Sequence, residues 1–493
     1  MTTLGSLAKK AFRQYSEEVA VVDRFRTLTY RELQEDSSRL ANGLTALGLT
    51  KGDRVGILMS NRAEHVLLDV AVAMAGFIKV PINFKLHPKE MAYIIDHAGV
   101  SVLIGEKALL SPLTVDCPVY TVEHSLASFL AEQALTLPTI NVVETDPYAL
   151  MYTSGTTGRP KGAILSHRAM VSSAQSLMMA CEISYDDIIG HVAPLTHGSN
   201  FLAQCALILG LKQVIFDTFD PVHFMDELEQ EKITTIFMVP TILNMMIHEP
   251  SFTPYKLRYL KSINMAGAPI AVEKLHTALE QLGPIFAETY GLVEAPMTIT
   301  IMPKRKLHER LASCGAVSPV VEMCIRDEDG KEVAQGMVGE VTCKGPLVMN
   351  GYWNNEEATA EAIRDGWFYT GDMGWVDEQG YLHLIDRKKD IIISGGMNIY
   401  PREVEEVLNE HPDVKETCVF GVPDDKWGES VYAHVVLKQG HTAQTADLLH
   451  HCKQNLASYK KPSFLQFVSE LPKNSYGKIL RRELRNLYKE GVK

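Results

Sequence analysis

Short β-branched runs alternate with longer helical patterns over the first 240 residues, and this alternation restricts the fold more than any other feature of the chain. Segment 54–59 (R-V-G-I-L-M) predicts a strand and 63–75 a helix with a largely apolar face. Segments 100–104, 212–217 and 234–239, the last ending at Pro240, predict further strands. Such a pattern marks βα units feeding a parallel sheet. No fixed-period repeat is present, which excludes solenoids and propellers. From about 337 to 385 the texture changes to V-G-E-V-T-C-K-G, D-G-W-F-Y-T-G-D and E-Q-G-Y-L-H-L-I-D, glycine-punctuated segments that predict antiparallel strands and hairpins. Beyond Asp390 a helix at 401–411 and strands at 417–421 and 430–437 predict another compact unit, with a boundary in the charged run 386–390. The expected fold class is α/β. A large multi-lobed N-terminal domain, 1–386, has parallel-type sheets and a small β-rich lobe at about 310–386. A small α+β C-terminal domain follows at 387–493.

The charge balance narrows the function. There are 48 Lys and Arg against 60 Asp and Glu, a net charge of −12. A sequence-independent nucleic-acid binder needs a basic footprint to displace counterions, so that class is excluded; a local cradle for a small anion is not. Segment 1–18 lacks the continuous apolar stretch of a secretory signal, and 66–78 contains Asp69 and is shorter than the ~20 residues of a spanning helix. Eight cysteines stand singly, without C-x-x-C or zinc-ligand spacing. These features predict a reduced cytoplasmic protein with no membrane span and no nucleic-acid partner.

The most informative stretch is Y-T-S-G-T-T-G-R-P-K-G at 152–162, after a predicted strand at 148–152. Gly155 and Gly158 let backbone N–H groups approach a ligand closely. Thr153, Ser154, Thr156 and Thr157 offer hydroxyl donors, and Lys161 adds a cation, a combination suited to a polyphosphate. The mononucleotide P-loop pattern does not fit it. As a lone cluster it reads equally well as a surface turn. In its full order it closely resembles the signature loop of the adenylate-forming superfamily, which includes acyl-CoA synthetases, 4-coumarate–CoA ligases and adenylation domains. Ordered motifs extend the resemblance from T-L-T-Y-R-E-L at 27–33 to N-S-Y-G-K-I-L-R at 474–481.

The resemblance implies roles that the residues alone leave open. In E-T-Y-G-L-V-E, 288–294, it implies that Tyr290 packs on adenine and Glu294 assists Mg²⁺, with Glu288, Thr289 and Gly291 beside the nucleotide. The family usually has Thr where this chain has Val293, which removes a hydroxyl that contacts the α-phosphate in relatives. N-M-A-G-A-P, 264–269, would pass Gly267, Ala268 and Pro269 close to adenine and the acyl group; without the resemblance it is a strand-end turn. Asp372 of Y-T-G-D would accept both ribose hydroxyls, and Arg387 would reach ribose and phosphate. Lys389 falls at the hinge about which the C-terminal domain turns, which makes that domain mobile. Gly395 and Gly396 would line the passage for a pantetheine arm. Lys478 would bridge the carboxylate and the α-phosphate.

The implied reaction is a two-step ligation that uses ATP, Mg²⁺ and CoA. A carboxylate oxygen attacks the α-phosphorus, pyrophosphate leaves, and a thiol then displaces AMP from the acyl carbon. Thr153, Lys161, Glu294 and Lys478 carry the catalysis, and no protein nucleophile is needed. The acid pocket is expected to draw on His197, Gly198, Ser199, Val239, Gly267 and Gly291. His197 reads equally well as a packed core histidine. No Arg or Lys occurs in 191–202 or 263–270 to neutralise a second carboxylate, which points to an apolar monocarboxylic acid. One alternative loads the acid onto a carrier protein's phosphopantetheine; another is a nucleotide-binding homologue without turnover.

Overall fold

The computed structural model describes all residues except 1, 137–138, 154–158, 268–269, 271, 474–478 and 490–493. The chain forms two compact units, Met1–Met323 with Cys343–Phe368, and Cys324–Thr342 with Tyr369–Lys493. The strand-rich stretch 310–386 therefore contributes to both units. Part of the reason is Glu340: its carboxylate accepts the Gly371 N–H at 3.0 Å and the Lys388 ammonium at 2.9 Å. Beside it the Thr370 hydroxyl donates to the Val341 carbonyl. These bonds tie 340–341 to the chain beyond Tyr369.

Among the described residues the first unit holds a nine-stranded and a six-stranded sheet. The larger sheet has a parallel centre: Phe286–Tyr290, Ser262–Met265, Thr235–Met238, Ile188–His191, Lys212–Ile215 and Val19–Val22 lie side by side in that order. The smaller runs Val119–Thr121, Val100–Gly105, Arg54–Leu58, Ile78–Pro81 and Pro147–Thr153 in parallel, then turns back antiparallel through Lys161–Ser166. The expected βα alternation is present. The helix Ala63–Ala75 differs from its expected one-sided burial: every residue in it is buried, Glu64, His65 and Asp69 included. Of its enclosed polar groups, Asp69 pairs with Lys79 on the neighbouring strand. T-L-T-Y-R-E-L forms a capping box: the Thr29 hydroxyl accepts the Glu32 N–H, and the Glu32 carboxylate accepts the Thr29 N–H.

In the second unit the strands Val414–Asp424 and Gly428–Leu437 pair antiparallel over ten registered positions. Alternation sends Val419, Val431, Ala433 and Val435 to one face against Val404, Leu408, Leu448 and Cys452 of two helices. Cys418, Phe420, Val422 and Val436 go to the other face, against Leu471 and Leu484. No helix among the described residues is long and apolar enough to cross a membrane.

Candidate active site

The carboxyl ends of neighbouring parallel strands are where open α/β sheets place ligands. Segment 192–200 follows Ile188–His191, Val239 follows Thr235–Met238, Gly267 lies two residues past Ser262–Met265, and Tyr290 ends Phe286–Tyr290. Four adjacent strands thus deliver most of the predicted acid- and adenine-site residues to one edge. Gly267 has φ +85, and among the described residues a Cβ there would touch only Val239 Cγ1 at 4.0 Å, so backbone conformation requires glycine. The strand Phe286–Tyr290 includes E-T-Y itself. Glu288 and Tyr290 share one half-buried face. Thr289 faces the core, 3.3 Å from the Asn264 amide nitrogen.

The smaller sheet supplies the base of the signature loop. Thr153 and Lys161 are direct partners across the antiparallel hairpin. Ser154, Gly155, Thr156, Thr157 and Gly158 lie outside the described residues, as do Ala268, Pro269 and Lys478. Segment 350–353 adds alongside Lys161–Ser166: Ile164 N–H bonds the Gly351 carbonyl at 2.9 Å, and Trp353 N–H bonds the Gly162 carbonyl at 2.8 Å. This brings in Tyr352, which motif reasoning did not single out. Its hydroxyl donates to Glu294 Oε1 at 2.8 Å, and Lys161 Nζ lies 5.2 Å from its ring centroid. The G-Y-W-N sequence gives little hint of this, because both partners arrive through tertiary contact.

The acid segment is held from behind. Asn61 donates to the Ala193 carbonyl at 3.0 Å and accepts the Leu195 N–H at 2.8 Å. A Cβ on Gly198 would come within 2.7 Å of the Phe237 ring, so that glycine sets a close approach. Ser199 is fully buried, its hydroxyl 2.9 Å from His191 Nδ1, while His191 Nε2 meets Gln213 Oε1 at 3.1 Å. With Gln213 accepting from Nε2–H, Nδ1 accepts the Ser199 proton. The resulting chain resembles a catalytic triad but is sealed from solvent. Burial holds the His191 and His197 imidazoles down to about 4, so both are neutral near pH 7. Asn200, next along, accepts from Lys79 at 2.7 Å.

In the second unit Asp372 and Arg387 are direct cross-strand partners, with Arg387 Nε 2.5 Å from Asp372 Oδ1. Y-T-G-D lies within the strand Trp367–Val376 rather than in a turn. Lys389 is exposed in a short 3₁₀ turn, Lys388–Asp390. Gly395 and Gly396, with φ +58 and +78, form the two-residue turn of the hairpin Ile392–Ser394 and Met397–Ile399. Arg481, three residues beyond Lys478, binds Glu405 at 2.7 Å and Asp390 at 3.2 Å. None of the eight cysteines is in a disulfide, and burial pushes the Cys181 and Cys418 thiols up to about 12. Neither is a thiolate near neutral pH. Among the described residues no group of three or more His, Cys, Asp or Glu could hold a metal. Glu294, as a single carboxylate, suits a cation that brings phosphate ligands of its own.

Comparison with known proteins agrees with this geometry. Residues 8–353 match the AMP-binding enzyme family and 403–478 the AMP-binding enzyme C-terminal domain. The chain is 35% identical to a feruloyl-CoA synthase of Amycolatopsis sp over 98% of its own length and 99% of the relative's. It is 36% identical to the fatty acid–[acyl-carrier-protein] ligase ScoC of Streptomyces coeruleorubidus, covering 95% and 93%. The solved o-succinylbenzoate-CoA synthetase of Bacillus subtilis, in complex with the acyl-adenylate intermediate OSB-AMP, superposes with a TM-score of 0.89 at 30% identity, covering 98% of this chain and 99% of that one. With both domains matched and relatives covered from end to end, the chain belongs to the AMP-binding enzyme family and is an acid–thiol ligase.

Proposed function

We propose that the protein is an ATP-dependent carboxylate–CoA ligase that works through an acyl-adenylate on an apolar monocarboxylic acid. The observation that carries the reading is the meeting of Lys161 and Glu294 on Tyr352, at the base of the signature loop. A cation for phosphate oxygens and a carboxylate for Mg²⁺ are what Mg·ATP requires of a site. In the first step a carboxylate oxygen forms a bond to the α-phosphorus while the bond to pyrophosphate breaks. The product is an acyl group carrying AMP as a good leaving group. In the second step a thiol sulfur bonds the acyl carbon, AMP departs with the electron pair, and the thiol proton passes to solvent or base.

Thr153 and Lys161 serve the phosphates, Tyr290 the adenine, and Asp372 with Arg387 the ribose. Lys478 offsets the charge gathering on phosphorus. The C-terminal domain turns about Lys389 between the two steps, and the Gly395–Gly396 turn then admits the thiol arm. An apolar acid is favoured because the charges near its segment are already engaged. Lys79 reaches Asn200, but Asp69 neutralises it at 2.8 Å, and His197 carries no proton near pH 7. Relatives of near-equal identity bear the names of different acids, so identity does not choose among them.

The similarity to ScoC favours a second reading, in which the acceptor is a carrier protein's phosphopantetheine. The test is turnover with Mg·ATP and a mixed panel of carboxylic acids, with CoA and a carrier protein side by side and products identified by mass spectrometry. AMP plus one dominant acyl-CoA is expected. AMP with thioester only on the carrier favours the second reading. ADP, or no turnover with any acid, overturns the adenylation scheme.

A further inference from the structure

We propose that Tyr352 is a positioning residue for adenylation: its hydroxyl fixes the Glu294 carboxylate and its ring face carries Lys161, so one side chain sets both charges that Mg·ATP meets. The inference rests on the adenylation reading and adds to it a residue that contributes no ligand atom of its own.

Tyr352 is itself held at three points. Its N–H donates to the Thr359 hydroxyl at 2.8 Å, and Thr359 in turn donates to the Asn355 carbonyl at 2.8 Å. It forms an antiparallel bridge with Ala163, and its neighbour Trp353 bonds Gly162. The ring is therefore anchored to the strand that carries Lys161. Glu294 sits in the tight loop after Tyr290. A Cβ on Gly291 would meet the Met297 nitrogen at 2.6 Å, and the Glu294 carbonyl accepts the Met349 N–H at 2.8 Å. The loop is thus docked on the segment that precedes Tyr352, and the 2.8 Å bond fixes the remaining freedom, the carboxylate rotamer. Among the described residues Oε2 accepts no hydrogen bond and is left for a cation. A half-buried Glu side chain without that bond would sample several rotamers, and a ligand would have to order it on arrival. Lys161 gains differently: a ring face at 5.2 Å attracts the ammonium without itself occupying a donor that phosphate could use.

Tyr352→Phe keeps the ring and removes only the donor. Two readouts separate positioning from mere packing: the affinity that Mg²⁺ adds to ATP binding, by calorimetry, and the Mg²⁺ dependence of acid-dependent pyrophosphate exchange. The expected result is an exchange rate about tenfold lower, the size of one hydrogen bond to a charged group, with more Mg²⁺ needed for half-saturation and an unchanged melting temperature. Tyr352→Leu should additionally raise the KM for ATP, because Lys161 loses its ring. Glu294→Gln supplies the benchmark, and adding Tyr352→Phe to it should cost less than a further twofold, since both act through one carboxylate. A crippled Glu294→Gln beside a Tyr352→Phe with wild-type rate and Mg²⁺ dependence overturns the positioning role alone. Full exchange in Glu294→Gln overturns the assignment of Glu294 and the inference with it.

Discussion

Two ion pairs of the same chemistry stand in contrast. Lys79 and Asp69, 2.8 Å apart in the first unit, have side chains 2% and 4% exposed. Arg387 and Asp372, 2.5 Å apart in the second, are 35% and 10% exposed. The buried pair is closed on itself: Asn200 accepts from Lys79 and donates to Asp69, and Gln204 donates to Asp69 as well. Its charges are balanced internally, and it joins the helix Ala63–Ala75 to the helix that carries the acid segment, Ser199–Leu209. The Arg387–Asp372 pair lies on a strand ladder with solvent at Arg387, and under the proposed function it is this pair that meets the ribose. Burial, not charge, separates this fastening from the pair proposed to bind ligand.

The contrast is sharpest on removing one partner. Lys79→Met leaves Asp69 buried and uncompensated, with an expected stability loss of about 3–5 kcal/mol. Denaturant titration reads the loss, and adding Asp69→Asn should recover much of it. A Lys79→Met protein that melts normally but turns over slowly would move Lys79 from the fastening to the site.

Acid provides the next largest effect, on the buried side only. His65 lies on the same helix as Asp69, near Lys79, and burial holds its imidazole down to about 4 against an ordinary 6.5. Among the described residues neither of its ring nitrogens has a hydrogen-bond partner. Between those values the unfolded chain binds more protons than the folded one. Stability should therefore fall as pH drops from about 6.5 to about 4, by about 3 kcal/mol for this group. Urea midpoints at pH 7 and 4.5 measure it, and His65→Phe should flatten the slope. An unchanged slope would mean that His65 takes up its proton at the same pH in the folded and unfolded chain, so that its burial contributes nothing to acid sensitivity.

The same contrast shows what the sequence made legible. Asp372 and Arg387 stand out through the family resemblance, and a β-ladder pairs them directly. The βα alternation likewise foretold the parallel sheets, since periodicity reports which face a strand or helix buries. Lys79 escaped because a search for cations within 191–202 cannot find one that arrives 121 positions from its partner Asn200. Tyr352 escaped for the same reason.

Asp372→Asn tests the exposed side. It should lower pyrophosphate exchange about tenfold or more and raise the KM for ATP, as expected for losing hydrogen bonds to a charged group. Stability should change by less than about 1 kcal/mol, as for other partly exposed pairs. A large loss of stability with normal ATP kinetics would make this pair a fastening as well, and the contrast would fail.

The smallest effect repeats the contrast within one turn. Both Gly395 and Gly396 have positive φ, so alanine at either costs about 1 kcal/mol of backbone strain. A Cβ on Gly395 would also come within 2.9 Å of the Trp427 ring, whereas one on Gly396 meets nothing within 4 Å. Gly395→Ala should therefore destabilise more than Gly396→Ala in thermal melts. Function should rank the two by the opposite logic. A side chain at Gly396 projects into open space, where a thiol arm would pass, and should slow thioester formation from supplied acyl-adenylate while sparing pyrophosphate exchange. Gly396→Trp should enlarge that split. If both Gly396 variants make thioester at the wild-type rate, the open space beside Gly396 is not the thiol's path, and the turn needs glycine for its backbone alone.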